Sequence, residues 1–306
     1  MTPSASGLPS ETLLEEVLAR ADDLPLGNRT ALLRVTLLCE EPGTSARDVA
    51  LEVSKDEGLA AMLLRLANSA ASAPARPIAD LTTVVARLGL GLVRSLAIAA
   101  PGLRLLGTRS DGLGPVRREL HRHSARVGVA ARMIAPADID SEQALTAGLV
   151  HDIGLSVLAR IAPDEFRRVL DLAAEGVRLP DAERWHLGFT HAELGARLAE
   201  RWSYPDTLVE AIADQSVDRP PRNRFCALVR VADALIREHG IGIEPPILLD
   251  PAVYDGAGVE PGRARAWLEP VLISYERVEL RDEIETAPLS RARVARALLA
   301  ALEVPV

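Results

Sequence analysis

Apolar residues recur at three- and four-residue spacing along most of this chain, and the polar breaks between them fall on Gly, Pro, Ser and Asp. Leu13, Leu14, Val17 and Leu18 form one such stripe and predict a helix over 10–21, with Ser10 as its cap and the Pro25, Gly27, Asn28 segment as its end. A second helix over 29–40 carries Leu32, Leu33, Thr36 and Leu37 and stops at Glu41, Pro42 and Gly43. Ser45 with Asp48 has the spacing of a capping box and opens a third. Leu59, Met62, Leu63 and Leu66 predict a helix over 56–68, ended by Asn68 and Ser69, with Asn68 bonding to local backbone. From Leu81 to Leu106 the period runs through Val84, Val85, Leu88, Leu92, Leu96 and Ile98, with Gly89 and Gly91 marking a junction between two helices.

A segment rich in Gly, Ser, Asp and Thr over 107–115 is the expected internal boundary. Beyond it the pattern predicts helices over 116–135, 141–160, 163–175, 191–202, 205–214 and 225–239, then two terminal helices over 263–285 and 289–302. Thr190 and Glu193 form a second capping box, which places His191 at the first helical position. Four regions are expected: a helix and linker over 1–28, a small helical subdomain over 29–107, a second over 108–240, and a helical extension over 241–306.

Composition supports an all-α fold. Of the 306 residues 48% are hydrophobic and only 3% aromatic, so Ala and Leu must fill the interior, and both are strong helix formers. A formal charge of −8 opposes the phosphate backbone, so direct nucleic-acid binding is not expected. Cys39 and Cys226 lie far apart on apolar stretches and suggest reduced core thiols rather than a disulfide framework. No charged start precedes an apolar run, and no uncharged stretch approaches the ~20 residues that span a bilayer. A cytoplasmic protein with no membrane partner is the expectation.

Against this apolar background a few polar residues stand out. The stripe Val116, Leu120, Val127, Ala130 and Ile134 has a gap that His123 fills at helical spacing, so His123 points inward. His121 faces elsewhere, beside Arg117, Arg118 and Arg122 on an expected solvated basic face. His151 and Asp152 lie between Gly148 and Gly154 in a stretch that otherwise suits a buried helix. Glycine inside a helix costs about 1 kcal/mol relative to Ala, so the two glycines suggest close backbone approach. Asp233 sits at the margin of the core beside Val229 and Ile236. A hydrogen-bonded core histidine, an exposed Asp and an arginine-paired Asp account for each residue singly. Two His and two Asp on three inward helical faces also make a ligand set for Fe, Mn, Zn or Mg, and such a metal orients a phosphate and activates a water.

The order His123, then His151 with Asp152, then Asp233 resembles the H…HD…D pattern of the HD superfamily of metal-dependent phosphohydrolases. In the first half, residues 64–70 (LRLANSA) resemble the Leu-x-x-Leu-Ala-Asn-Ser segment of the HDOD family, and Val84, Ala86, Leu88 and Gly89 resemble its Ala-Ile-x-x-Leu-Gly element. Gly188, His191, Ala192, Leu194, Gly195, Ala196, Trp202 and Pro205 are similar to its Gly-x-x-His-Ala-x-Leu-Gly-Ala…Trp-x-x-Pro run. The likeness covers about residues 29–239. It implies a small N-terminal helical subdomain packed on an HD-like helical subdomain, here with extra C-terminal helices, and a regulatory role in bacterial signalling.

Two departures from the family pattern stand out, the first without consequence for that expectation. Asp56 is followed by Glu57 and Gly58 where the family usually has Pro. The His-His pair that commonly follows the Trp-x-x-Pro helix is replaced around Asp214, Gln215 and Ser216, with no Gly-Tyr-Pro motif after it, which argues against an HD-GYP cyclic-di-GMP phosphodiesterase.

The first function expected is a non-catalytic signalling module that binds a nucleotide messenger or a partner protein through the cleft between its subdomains. A second is a single-metal phosphohydrolase acting on a nucleotide or other phosphoester. His123, His151, Asp152 and Asp233 would be its ligands, His191 a candidate further contact, and Arg122, Arg126 and Arg230 candidate phosphate contacts. A third is a scaffold whose histidines are only core residues. The terminal helices from Arg263 either pack onto the HD-like half or mediate homodimerisation.

Overall fold

Most helices in the first half begin where the sequence offers a side-chain oxygen to an open backbone amide. A computed structural model describes residues 10–69, 77–106, 111–272 and 291–302, and no strand occurs among them. The first half comprises α1 (Ser10–Asp22), α2 (Arg29–Leu38), α3 (Ala46–Val53), α4 (Glu57–Ala67), α5 (Leu81–Leu88) and α6 (Leu90–Leu105). Asn28, Ser45, Asp56 and Asp80 cap α2 to α5 in turn, and Ser45 and Asp48 complete the expected box. Asp56 also accepts the amide of Asn28 at 2.8 Å and pairs with Arg104 of α6, so one buried carboxylate ties the α1–α2 linker, the start of α4 and the end of α6 together. At Gly89, with φ +82°, the chain turns by 106° from α5 into α6.

The second half comprises α7 (Gly114–Ile134), α8 (Ser141–Val150), α9 (Ile153–Ile161), α10 (Pro163–Ala174), α11 (Leu179–His186), α12 (His191–Arg201), α13 (Asp206–Ala213) and α14 (Arg224–Arg237). It is followed by α15 (Pro251–Ala257), α16 (Pro261–Leu272) and α17 (Arg291–Leu302). The long helix α7 is central and packs on α8, α14, α16 and α17. Helix α6 joins the halves by packing on α8 and α9, where Ser95 Oγ donates to the carbonyl of Glu142 at 2.9 Å. Helix α17 lies against both α4 and α7.

The two glycines around His151 and Asp152 do allow close approach. A Cβ on Gly148 would lie 2.6 Å from the Cα of Gly128, and one on Gly154 would lie 2.0 Å from the carbonyl oxygen of His191. These contacts let α8 seat on α7 and α9 seat on α12, which brings three His-bearing segments to one place.

Several expectations need correction. The helix expected over 141–160 breaks at His151 and Asp152, which form the turn between α8 and α9. Short helices α11 and α15 were not anticipated, since neither carries a full apolar stripe. Arg117 is buried, not solvated: it pairs with Asp111, which precedes the helix, and donates to the carbonyl of Ala159 at 2.7 Å. His121 is half-buried, its Nε2 against the carbonyl of Leu302. The second part of the helix expected over 263–285 lies outside the described residues, as do Ala70, residues 74–76 and residues 107–110. The stretch 141–161 is apolar and long enough to cross a membrane, but 94% of its most apolar window is buried inside the protein, as befits core helices.

Candidate metal centre

His123 enters the site from the middle of α7, His151 and Asp152 from the α8–α9 turn, and Asp233 from α14. Asp152 occupies the N-cap position of α9 yet makes no side-chain cap bond. Asp at that position ordinarily accepts a first-turn amide, so its carboxylate is committed elsewhere. It faces the histidines: Oδ2 lies 3.3 Å from His151 Nε2 and 3.6 Å from His123 Nε2. Asp233 Oδ1 lies 3.1 Å from His123 Nε2 and 4.0 Å from His151 Nε2. The four residues thus converge, and the turn at 151–152 is what aims two adjacent side chains at one point.

The ring orientations are set from behind. His123 Nδ1 meets the carbonyl of Ile241 at 3.1 Å, and His151 Nδ1 meets the carbonyl of Gly148 at 2.8 Å. A carbonyl only accepts, so both rings carry a proton on Nδ1, and in the neutral form Nε2 presents a lone pair to the site. His151 Nε2 and Asp233 Oδ1 are buried with no hydrogen-bond partner among the described residues. An unsatisfied buried polar atom costs about 1–3 kcal/mol. A cation shared by both atoms removes that cost. One ligand atom each from His123, His151 and Asp233 lie within 4.8 Å of one another, so the residues present fit a divalent metal.

The histidines and carboxylates also act on one another electrostatically. Burial pushes the His123 pKa down, but Asp233 and Asp152 outweigh it and hold the imidazole above its ordinary value. Burial pushes Asp233 up, while His123, Arg237 and His151 outweigh it and keep its carboxyl well below the usual range.

His191 stands beside the group. Its Nε2 is 3.8 Å from Asp152 Oδ1, while Glu183, fully buried, accepts both its backbone amide and its Nδ1 at 2.9 and 2.8 Å. Burial lowers the His191 pKa, and the Glu183 carboxylate overrides it, pushing it up to about 10. The arginines are differently placed. Arg122 pairs with Glu119 at 2.8 Å, and Arg126 is buried in α7. Arg230 lines the site opening, but its guanidinium meets Asp214 Oδ1 at 2.8 Å and the carbonyls of Asp214 and Arg219 at 2.6 and 2.8 Å.

Sequence reasoning missed the supporting residues. Gln215 Nε2 donates to the carbonyl of His151, so the position that departs from the His-His pattern braces the HD doublet. Arg237 lies 3.4 Å from Asp233 and 3.1 Å from Glu244. Its spacing of four from Asp233 on one helix was a readable signal. Glu183 offered none. The opening beside His151 and Asp233 is lined by Gln215, Arg230, Ile247 and Leu249 among others, and has room for about one water-sized sphere.

The HDOD domain family model matches residues 28–217. The chain belongs to the HDOD family. An uncharacterized protein of Treponema pallidum is 30% identical to this HDOD protein over 208 residues, which span 65% of this chain and 39% of that one. Ribonuclease Y of Desulfotalea psychrophila is 33% identical over 115 residues, covering 37% of this chain and 17% of the enzyme. The crystal structure of an HDOD domain protein of unknown function from Geobacter sulfurreducens superposes with a TM-score of 0.71 at 26% identity, covering 86% of this chain and 94% of that one. Asp233 lies beyond the matched segment, so α14 supplies this candidate ligand from outside it.

Proposed function

We propose that this HDOD protein is a non-catalytic signalling module that binds a nucleotide messenger or a partner protein, with a divalent metal as a structural element of its HD half. His123, His151, Asp152 and Asp233 would hold the metal, with His191 beside it. The observation that carries this reading is the enclosure of the site. The opening next to His151 and Asp233 is narrow, with room for about one water, and the arginine that lines it is tied to Asp214. On that wall a nucleotide phosphate therefore meets no uncommitted cation.

The alternative is a single-metal phosphohydrolase acting on a nucleotide or other phosphoester. The convergence of all four HD positions favours it, as does the likeness to ribonuclease Y over 115 residues. In that case the bound metal would polarise a phosphoryl oxygen. The chain's own part would be to fix both imidazoles through their Nδ1 protons and to keep Asp233 ionised.

The two readings separate on metal-loaded protein. Thermal shift against a nucleotide panel, run beside hydrolysis assays on the same panel and on short RNA, is expected to give a binder or no response, without turnover. Turnover that disappears in His151→Ala overturns the non-catalytic reading.

A further inference from the structure

Two of the proposed ligands are supported by one short segment that lies outside the matched family region. Between α14 and α15 the chain runs over the site as an irregular strap. Its Ile241 carbonyl holds His123 Nδ1 at 3.1 Å. The amide of Gly242 donates to Glu119 Oε1 on α7 at 2.7 Å. Gly242 has φ +121°, and a Cβ there would lie 2.9 Å from His123 Nδ1, so both backbone shape and space require glycine. Farther along, Glu244 Oε2 and the Pro245 carbonyl hold the Arg237 guanidinium at 3.1 and 3.0 Å. That guanidinium reaches Asp233 Oδ2 at 3.4 Å, leaving Oδ1 to face the histidines. Ile247 and Leu249 then form one wall of the opening.

We propose that the strap over 241–249 is the outer brace of the metal centre, with Arg237 and Glu244 as positioning residues, and that metal occupancy is read out as a change in strap protection. The inference rests on the metal reading above. His123 and Asp233 sit on different helices, and the strap is the element that fastens to the back of both. A cation that pulls the two ligands together loads the Ile241 carbonyl on one side and the Arg237–Glu244 pair on the other. Groups that orient metal ligands in this way typically contribute 10- to 100-fold in metal affinity when removed. The strap leads directly into α15, which packs back on α14.

The test measures Zn²⁺ and Mn²⁺ affinity by calorimetry and amide hydrogen exchange with and without metal, on the full chain. Wild type, Arg237→Gln, Arg237→Lys and Gly242→Ala are compared. The expected result is slower exchange across 241–249 on metal binding in wild type. Arg237→Gln should bind about tenfold more weakly and lose that response. Arg237→Lys should recover part of the affinity, and Gly242→Ala should weaken binding through His123. Equal affinity in wild type and Arg237→Gln, or strap exchange indifferent to metal, overturns the brace while leaving the metal centre standing. Failure of wild type to bind either metal overturns the metal reading and the brace with it. Metal-free melting temperatures separate a folding defect from an affinity defect.

Discussion

His123 Nε2 on α7 lies 3.1 Å from Asp233 Oδ1 on α14, and the α8–α9 turn delivers His151 and Asp152 to the same point. The contact depends on packing that glycines permit at Gly128, Gly148 and Gly154, where helix backbones touch. Local helix propensity and the chemistry of the site conflict at the 151–152 break. The turn survives because the surrounding contacts over-determine it.

Gly154→Ala should be strongly destabilising, by about 3 kcal/mol, because its Cβ would fall 2.0 Å from a backbone oxygen that cannot move aside independently. Gly256→Ala is the control: it is helical, with nothing within 4 Å of a Cβ, and should be neutral or stabilising by up to about 1 kcal/mol. Urea denaturation of the two variants measures the contrast. Similar costs at both sites would contradict the close approach of α9 and α12.

Asp56→Asn should cost about 2–4 kcal/mol, since it leaves the Arg104 guanidinium beside a neutral amide in a buried network. Burial pushes the Asp56 carboxyl up, but Arg104 and the amides of Leu59 and Asn28 outweigh it and hold it below its ordinary 3.8. A carboxyl depressed in the folded state adds stability above 3.8, and that stability is lost as pH falls through the folded value. Wild type should therefore lose stability on acidification below about pH 4 more steeply than Asp56→Asn, a difference visible in melting curves from pH 5 to pH 2.

Much of this was legible in the sequence, and the exceptions have physical causes. His123 could be placed inward because it fills a gap in an apolar stripe, and the Ser45–Asp48 and Thr190–Glu193 boxes marked helix starts that the structure keeps. The break at His151 was hidden because apolar residues continue on both sides of it, and only the tertiary pull of the site turns the backbone. Glu183 could not be recognised, because its pairing with His191 depends on how the chain turns between α11 and α12. Arg117 was misplaced because its partner Asp111 lies outside the helix whose periodicity was being read.

Arg230→Gln should lower stability by about 2 kcal/mol, because fully enclosed Asp214 would lose its nearest charged partner and keep only the longer pairs to Arg219 and Arg222 at 3.8 and 3.9 Å. The Asp214→Asn, Arg230→Gln double variant should cost less than the sum of the two single changes. Chemical denaturation of all three closes the cycle. An Arg230→Gln protein as stable as wild type would instead return Arg230 to the role of an uncommitted phosphate contact.

Thr190→Ala removes the cap of α12 and should cost about 1 kcal/mol. Since His191 is the first residue of that helix, the same change should loosen the Glu183–His191 contact. Slow exchange of the His191 Nδ1 proton in the NMR spectrum of wild type, and faster exchange in the variant, would register it.

Metal content decides whether His123, His151, Asp152 and Asp233 form a metal centre. Protein purified without a histidine tag or added metal, then reconstituted with Fe²⁺, Mn²⁺ or Zn²⁺ and dialysed, is analysed by mass spectrometry beside His151→Ala and Asp233→Ala. Near-stoichiometric metal is expected in wild type, with its loss in both variants. Wild type that retains no metal under any of these conditions would contradict it and leave the four residues as a buried polar cluster of the core.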